Sequence, residues 1–288
     1  MYNESFGSSF KRGYFGLPAA IRVLITLNVA VFVIQIILGI ISPAYSNALI
    51  RIFAFIPEWQ TALFQPWRMV TYMFLHGGVF HLVFNMLWLW WMGRAVEETM
   101  GPRTFTVIYF GAGIGGALLD IIFAQLTGVV PVIGASGAVY GIMVAFAMLF
   151  PTMPIMLFLL PPIQARYLVA GLIALDVLLL NSGGNTARIV HIGGAGIGYL
   201  LMKAHNQGHN LSSWVLPIEQ FWYRIKDLYQ KREAKPQNKN MYSVSDVDII
   251  DEASESELDE ILEKISQKGY DGLTKEEKKK LFELSKKN

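Results

Sequence analysis

One apolar run decides what kind of chain this is. Ile21 to Ile41 is dominated by apolar residues over about 21 positions, or roughly 31 Å of helix, enough to cross the hydrocarbon core of a bilayer. Further apolar runs follow at Val79 to Val96, Thr104 to Leu126, Ser136 to Phe150, Ala165 to Leu180 and Ile189 to Ala204. Only 16% of the residues are charged, against roughly 25% in soluble domains. The apolar excess ends near Lys203. The pattern predicts an all-α polytopic membrane protein, a bundle of six transmembrane helices with a small soluble C-terminal helical extension. Residues 1–20 read as a cytoplasmic or interfacial segment and 21–205 as the intramembrane core. Residues 206–254 read as a polar linker with a candidate interfacial helix, and 255–288 as a cytoplasmic helical hairpin.

Charge sets the orientation. Six spans put both termini on one side, together with Lys11, Arg12, Arg22, Arg94, Arg103, Arg166 and Lys203. Arg51, Arg68 and Arg188 fall on the other. That bias places the termini in the cytoplasm. The net charge of +2 gives no argument for nucleic acid. There is no cysteine, which excludes disulfides, thiolate metal sites and a cysteine nucleophile. The first apolar run lacks a small-residue cleavage site and reads as a retained anchor.

Three interruptions shape the core. Ser42-Pro43 ends the first span. Residues 43–78 mix apolar side chains with Arg51, Glu58, Trp59, Trp67 and Arg68, a pattern for short helices lying in the interface. Gly93-Arg94 and Glu97-Glu98 mark the exit of the second span to water, and Gly101-Pro102 turns the chain. The fourth apolar helix is only about 15 residues, or roughly 22 Å. Its first residue, Ser136, should therefore lie below one membrane surface, reached by non-helical backbone that protein or a water-filled cavity must cover.

That serine stands in Gly134-Ala135-Ser136-Gly137. Helix N-termini present unpaired N–H donors and partial positive charge. A hydroxyl beside such donors is half of an acyl-transfer site. The bland alternative is an N-cap serine followed by a packing glycine. Other polar groups weigh against it. His81 and Asn85 share one face of the second helix at i, i+4, though each alone reads as glue between helices. His191 opens the sixth helix and is followed by Gly194 and Gly198. Gly137 and Gly141 offer a matching small-residue face on the fourth, close enough for Ser136 and His191 to hydrogen-bond. Tyr140, one turn below Ser136, is placed to stack beneath the His191 ring.

These motifs resemble those of the rhomboid intramembrane serine proteases: Trp67-Arg68 in the first loop, His81-x-x-x-Asn85, Gly134-Ala135-Ser136-Gly137, and His191 with Gly194-x-x-x-Gly198, in that order. The resemblance covers about residues 20–205 and implies a six-helix rhomboid-like bundle in the bacterial inner membrane. It implies that Ser136 is the nucleophile and His191 the general base of a Ser–His dyad. His81, Asn85 and the Ser136 N–H would form the oxyanion hole, and Tyr140 would support the histidine. Trp67 and Arg68 look like the family's structural loop motif, and His76 matches a structural or water-contacting position. Substrates would be transmembrane proteins in membrane lipid. No metal or cofactor is implied and no aspartate is needed in the dyad. Asp120 and Asp176 lack the sequence context of aspartyl intramembrane proteases and read as helix-packing or cavity-facing residues. The tail carries no catalytic motif and its partner cannot be named from sequence. The competing class is an inactive rhomboid-like protein that binds membrane clients. Such proteins lose the serine or the histidine, and both are present here. A transporter would want paired charges or repeated discontinuous helices, and the sequence shows no inverted repeat.

Overall fold

Helix α2 (Ala19–Ile41) reverses the arrangement of a helix in a soluble protein. Its buried residues, Ile21, Leu24, Asn28, Phe32 and Gln35, form one stripe at helical spacing. Val23, Val33, Ile34, Ile37 and Ile40 are exposed. The amides of Asn28 and Gln35 face the protein and many branched apolar side chains face outward, an arrangement suited to lipid. The computed structural model describes residues 6–157, 161–180, 185–233 and 259–285. What it describes is mostly helical. Expectations for residues 1–5 and for the part of the linker at 234–254 lie outside the described residues.

Helix α1 (Phe6–Phe15) precedes α2. The loop region then folds as α3 (Pro43–Phe53), α4 (Trp59–Phe64), α5 (Arg68–Thr71) and a 3-10 turn over Tyr72–Phe74. Ser42 closes α2 and opens α3, where its hydroxyl accepts from the Ala44 N–H at 3.3 Å and Pro43 occupies the first turn, a position that needs no N–H donor. Helix α6 (Val79–Thr127) is nominally one helix of 49 residues. It is broken at Gly101, whose φ of 79° lies in the left-handed region that favours glycine. Pro102 then starts the second arm where its missing N–H costs nothing. The two arms correspond to the second and third apolar runs. By length and composition, α2 and α6 are the two described helices able to cross a membrane.

Helix α7 (Ser136–Leu149) is followed by a two-residue antiparallel pair, β1 (Pro154–Ile155) with β2 (Ile163–Gln164). Then come α8 (Ala165–Leu178) and α9 (Asn185–Asn206). Helix α7 is deeply buried: Gly137 to Val139 and Gly141 to Phe146 are all buried. It packs against α6 and α9, so the residues it carries are held by neighbours on several sides.

Glu97 departs from its expected place at the water boundary. It is buried, and its Oε1 and Oε2 accept from the backbone N–H groups of Ala20 and Ile21 at 2.8 and 2.9 Å. The first N–H groups of α2 have no intrahelical acceptor, and the helix dipole favours a carboxylate there. Glu98, next in sequence, is the exposed one and pairs with Arg94 at 2.8 Å.

The chain forms two compact units, Met1–Trp222 and Tyr223–Asn288. In the first, packing continues past residue 205. Leu211, in a 3-10 turn over Leu211–Trp214, is buried. Glu219, at the start of α10 (Leu216–Glu233), accepts two bonds from Arg103 at 2.9 and 2.8 Å. In the second unit, α11 (259–268) and α12 (Lys275–Ser285) flank a 3-10 turn. Thr274 and Glu277 exchange reciprocal capping bonds. Lys264 pairs with Glu277 at 2.6 Å, and Ile261 and Leu273 are buried.

Candidate active site

The site begins with how the chain reaches Ser136. Phe55 and Val132 exchange backbone hydrogen bonds at 3.0 and 2.8 Å. The Gly134 N–H donates to the Tyr72 carbonyl at 2.9 Å, and the Tyr72 hydroxyl donates to the Gly113 carbonyl at 2.8 Å. The bonds at Val132 and Gly134 satisfy part of the non-helical backbone before α7 from within the protein, and the Tyr72–Gly113 bond anchors the residue that accepts from Gly134. Gly134 has φ 125°, and a Cβ there would fall 2.7 Å from the His81 ring. Both facts require glycine. Ser136 is the first residue of α7, which has 14 residues, or roughly 21 Å.

Ser136 is not an N-cap. Its Oγ lies 2.7 Å from His191 Nε2, so the hydroxyl is turned to an imidazole and not to a backbone N–H. His191 does not open its helix, as the sequence reading had it. Helix α9 starts at Asn185, one to two turns earlier, so His191 is rooted in formed helix on both sides. The Tyr140 ring stacks on the His191 ring, with centroids 4.4 Å apart and planes 12° apart. Asp176, from α8, reaches the other ring nitrogen: its Oδ2 is 3.1 Å from His191 Nδ1. That contact corrects the reading of Asp176 as a packing or cavity residue. Asp120 is fully buried with neither oxygen bonded among the described residues, and nothing in the structure explains it.

Glycines set the spacing between α7 and α9. A Cβ on Gly194 would fall 2.0 Å from the Gly137 carbonyl oxygen, and one on Gly198 would fall 2.6 Å from the Gly141 Cα. On α7, a Cβ on Gly137 would meet Val190 and one on Gly141 would meet Ala112. Backbone rests on backbone, and that brings the Ser136 and His191 side chains within hydrogen-bond reach.

On α6, His81 Nδ1 accepts from the Gly77 N–H at 3.3 Å. The ring proton of a neutral imidazole is then on Nε2, the nitrogen nearest Gly134. Asn85 is buried, and its Nδ2 donates to the His81 carbonyl at 2.8 Å. This bond lies within its own helix and leaves the second amide hydrogen for another acceptor. The first N–H groups of α7, including that of Ser136, lack intrahelical acceptors.

Trp67 and Arg68 are not at the hydroxyl–imidazole pair. Arg68 is buried and donates to the Ala54 carbonyl at 2.7 Å, to the Arg51 carbonyl and to Gln65. Trp67 Nε1 donates to the Ile52 carbonyl at 3.3 Å. Together they hold the loop between α2 and α6 in shape. His76 is buried, packs edge-on against His81 with ring centroids 5.0 Å apart, and has its backbone clamped by Gln35. Sequence reasoning missed Gln35 and Glu97. For Gln35 the available signal was an amide on the same helical face as Asn28 in an apolar run. Glu97 carried no signal that separated it from Glu98.

An apolar exterior around an inward-facing hydroxyl–imidazole pair defines the class: a membrane-embedded helical protein with its polar chemistry inside. The chain belongs to the rhomboid family. Residues 63–205 match the Rhomboid domain, and residues 252–287 match a family of unknown function (DUF6576). The chain is 44% identical over 75 residues to the Rhomboid protease GluP of Bacillus subtilis (strain 168), covering 26% of this chain and 14% of that one. It is 28% identical over 194 residues to the mitochondrial Presenilin-associated rhomboid-like protein A of Danio rerio, covering 65% and 48%. It is 37% identical over 91 residues to Rhomboid protein 1, mitochondrial, of Saccharomyces cerevisiae, covering 31% and 26%. The matched stretches thus span less than half the length of each of these relatives.

Proposed function

We propose that this protein is an intramembrane serine endopeptidase that cleaves other membrane proteins in or beside their transmembrane segments. The observation that carries the reading is the 2.7 Å approach of Ser136 Oγ to His191 Nε2, made at the head of a helix too short to span. In this mechanism His191 Nε2 takes the Ser136 proton as Oγ attacks the scissile carbonyl. The tetrahedral oxyanion lies among the His81 Nε2–H, the Asn85 amide and the Ser136 N–H. Collapse of the intermediate passes the proton from His191 to the leaving amine. Water, deprotonated by the same ring, then hydrolyses the acyl-enzyme. A helical substrate must unwind locally first, because its carbonyls are held in hydrogen bonds.

The same reading takes six spans, with the two arms of α6 counted separately, and both termini in the cytoplasm of a bacterium. The likeness to a relative named as a protease supports the activity. Other relatives are mitochondrial; the bacterial membrane is supported by the likeness to the Bacillus subtilis relative, and the cytoplasmic termini by the charge bias. The test is fluorophosphonate labelling of the purified protein, with cleavage of a model transmembrane substrate beside it. We expect label on Ser136, and loss of both label and cleavage in Ser136→Ala and His191→Ala proteins that stay folded. Cleavage by a well-folded Ser136→Ala protein would overturn the serine-protease reading. A wild-type protein that binds clients but neither labels nor cleaves would favour the inactive rhomboid-like class.

A further inference from the structure

Asp176 stands within an otherwise apolar stretch of α8, Leu172 to Leu178. A carboxylate in such a place is costly unless it has a partner. Its partner is His191, at 3.1 Å between Oδ2 and Nδ1, and the two side chains are only 14% and 19% exposed. The imidazole therefore lies between a carboxylate on one nitrogen and the Ser136 hydroxyl on the other, 2.7 Å away.

We infer that Asp176 is a positioning residue for the proposed hydrolysis, fixing the tautomer and in-plane orientation of His191. The inference rests on the serine-protease reading above. An ionised carboxylate only accepts hydrogen bonds, so Nδ1 must carry the ring proton. Nε2 is then left with its lone pair directed at Ser136 Oγ, which is the form a general base requires. When Nε2 takes the serine proton, the ring becomes a cation, and Asp176 is the carboxylate in contact with it. The two supports of the ring are complementary. Tyr140 lies parallel to it at 4.4 Å and opposes tilting. Asp176 bonds in the ring plane and opposes rotation about the Cβ–Cγ axis. Among the described residues, Tyr140 and Arg188 also act on the carboxylate, and Arg188 donates to the Leu179 carbonyl at 2.7 Å. Helix α8 thereby contributes to a site otherwise built from α6, α7 and α9, and a shift of α8 would alter the base directly.

The test compares Asp176→Asn, Asp176→Ala and Asp176→Glu in the full-length protein. Readouts are kcat and KM on a model transmembrane substrate, the rate of fluorophosphonate labelling, and the thermal midpoint. An amide at 176 can donate to Nδ1 and push the proton to Nε2, so Asp176→Asn should lower kcat on the order of 10²–10⁴ with KM nearly unchanged. Asp176→Ala leaves the ring free to choose its tautomer and should lose less than Asp176→Asn. Asp176→Glu should retain more kcat than either. Labelling rates should follow the same order. If Asp176→Asn and Asp176→Ala keep wild-type kcat and labelling while Ser136→Ala is inactive, the inference is overturned and the serine mechanism stands as a dyad. If the three variants lose kcat only in proportion to a lowered thermal midpoint, Asp176 is structural and the inference is likewise overturned. A wild-type protein that neither labels nor cleaves overturns both.

Discussion

Gly194 rests on the backbone of Gly137 so closely that a methyl group on it would sit 2.0 Å from the Gly137 carbonyl oxygen. One turn on, Gly198 stands in the same relation to Gly141. The catalytic geometry proposed here depends on this contact, because Ser136 precedes Gly137 and His191 lies three residues before Gly194. Gly194→Ala must push α7 and α9 apart. Overpacking of this kind costs roughly 1–3 kcal/mol, and misplacing a base by about 1 Å can cost on the order of 10² in rate. We expect a lowered thermal midpoint and a kcat reduced by about that factor. Gly196→Ala is the control, since a Cβ there meets nothing within 4 Å. It should be neutral or slightly stabilising. Equal effects from the two substitutions would refute the close-packing account.

Asn85 separates oxyanion stabilisation from packing. Its amide bonds the His81 carbonyl at 2.8 Å within α6 and still has a hydrogen to give. A donor to charge that develops only in the transition state is worth on the order of 10²–10³ in kcat. Glue between helices would instead be worth on the order of 0.6–2 kcal/mol of stability. Asn85→Ala should therefore show a large fall in kcat and a small shift in midpoint. His81 and the Ser136 N–H remain, so the loss can fall below the single-donor range, and labelling should persist at a lower rate. A normal kcat with a clearly lower midpoint would return Asn85 to a structural role.

The parts of the site legible in the sequence were those fixed by helical spacing. His81 and Asn85 are four positions apart, as are Ser136 and Tyr140, Gly137 and Gly141, and Gly194 and Gly198. Spacing of that kind survives translation into structure because it depends only on the helix being formed. The short fourth apolar run was legible for the same reason, as length times rise. What depended on contacts between helices was not. Nothing in α8 marks Asp176, more than Asp120, as the residue that reaches His191, and the earlier start of α9 moved His191 away from a helix end. Glu97 and Glu98 are adjacent and chemically identical. Only the position of the α2 N-terminus, 76 residues earlier in the chain, decides which is buried.

That pair gives a sharp stability test. Glu97 accepts from two backbone N–H groups at the head of α2. Glu97→Ala leaves the buried Ile21 N–H and the part-buried Ala20 N–H without a partner, at a cost of roughly 1–3 kcal/mol for the buried donor and less for the other. Glu98→Ala removes an exposed pair with Arg94, worth roughly 0–1 kcal/mol. We expect Glu97→Ala to lower the thermal midpoint in detergent well below that of Glu98→Ala, and Glu97→Gln, which keeps one acceptor, to fall between. Turnover per folded molecule should be unchanged, since Glu97 touches no residue of the site. Indistinguishable midpoints for the two alanine variants would show that water satisfies the α2 N-terminus as well as the carboxylate does.

The last prediction concerns where the membrane unit ends. Composition changes after Lys203, and a cut near Gln207 looks safe from sequence. The structure argues for a later one. Leu211 is buried to 1% exposure, and burying a leucine is worth roughly 1.5–3 kcal/mol. Glu219 takes two bonds from Arg103, an exposed pair worth roughly 0–1 kcal/mol that also fixes where α10 starts. A chain ending at Gln207 discards both, whereas one ending at Glu233 keeps them. Neither cut removes any residue of the proposed site. We therefore expect the chain ending at Glu233 to match the full protein in thermal midpoint and in kcat on a model substrate in detergent. The chain ending at Gln207 should have a lower midpoint, with kcat per folded molecule close to normal. If instead the chain ending at Glu233 keeps its midpoint but loses turnover, residues 234–288 act on the site. The tail would then need a catalytic role that the fold of its own helices does not supply.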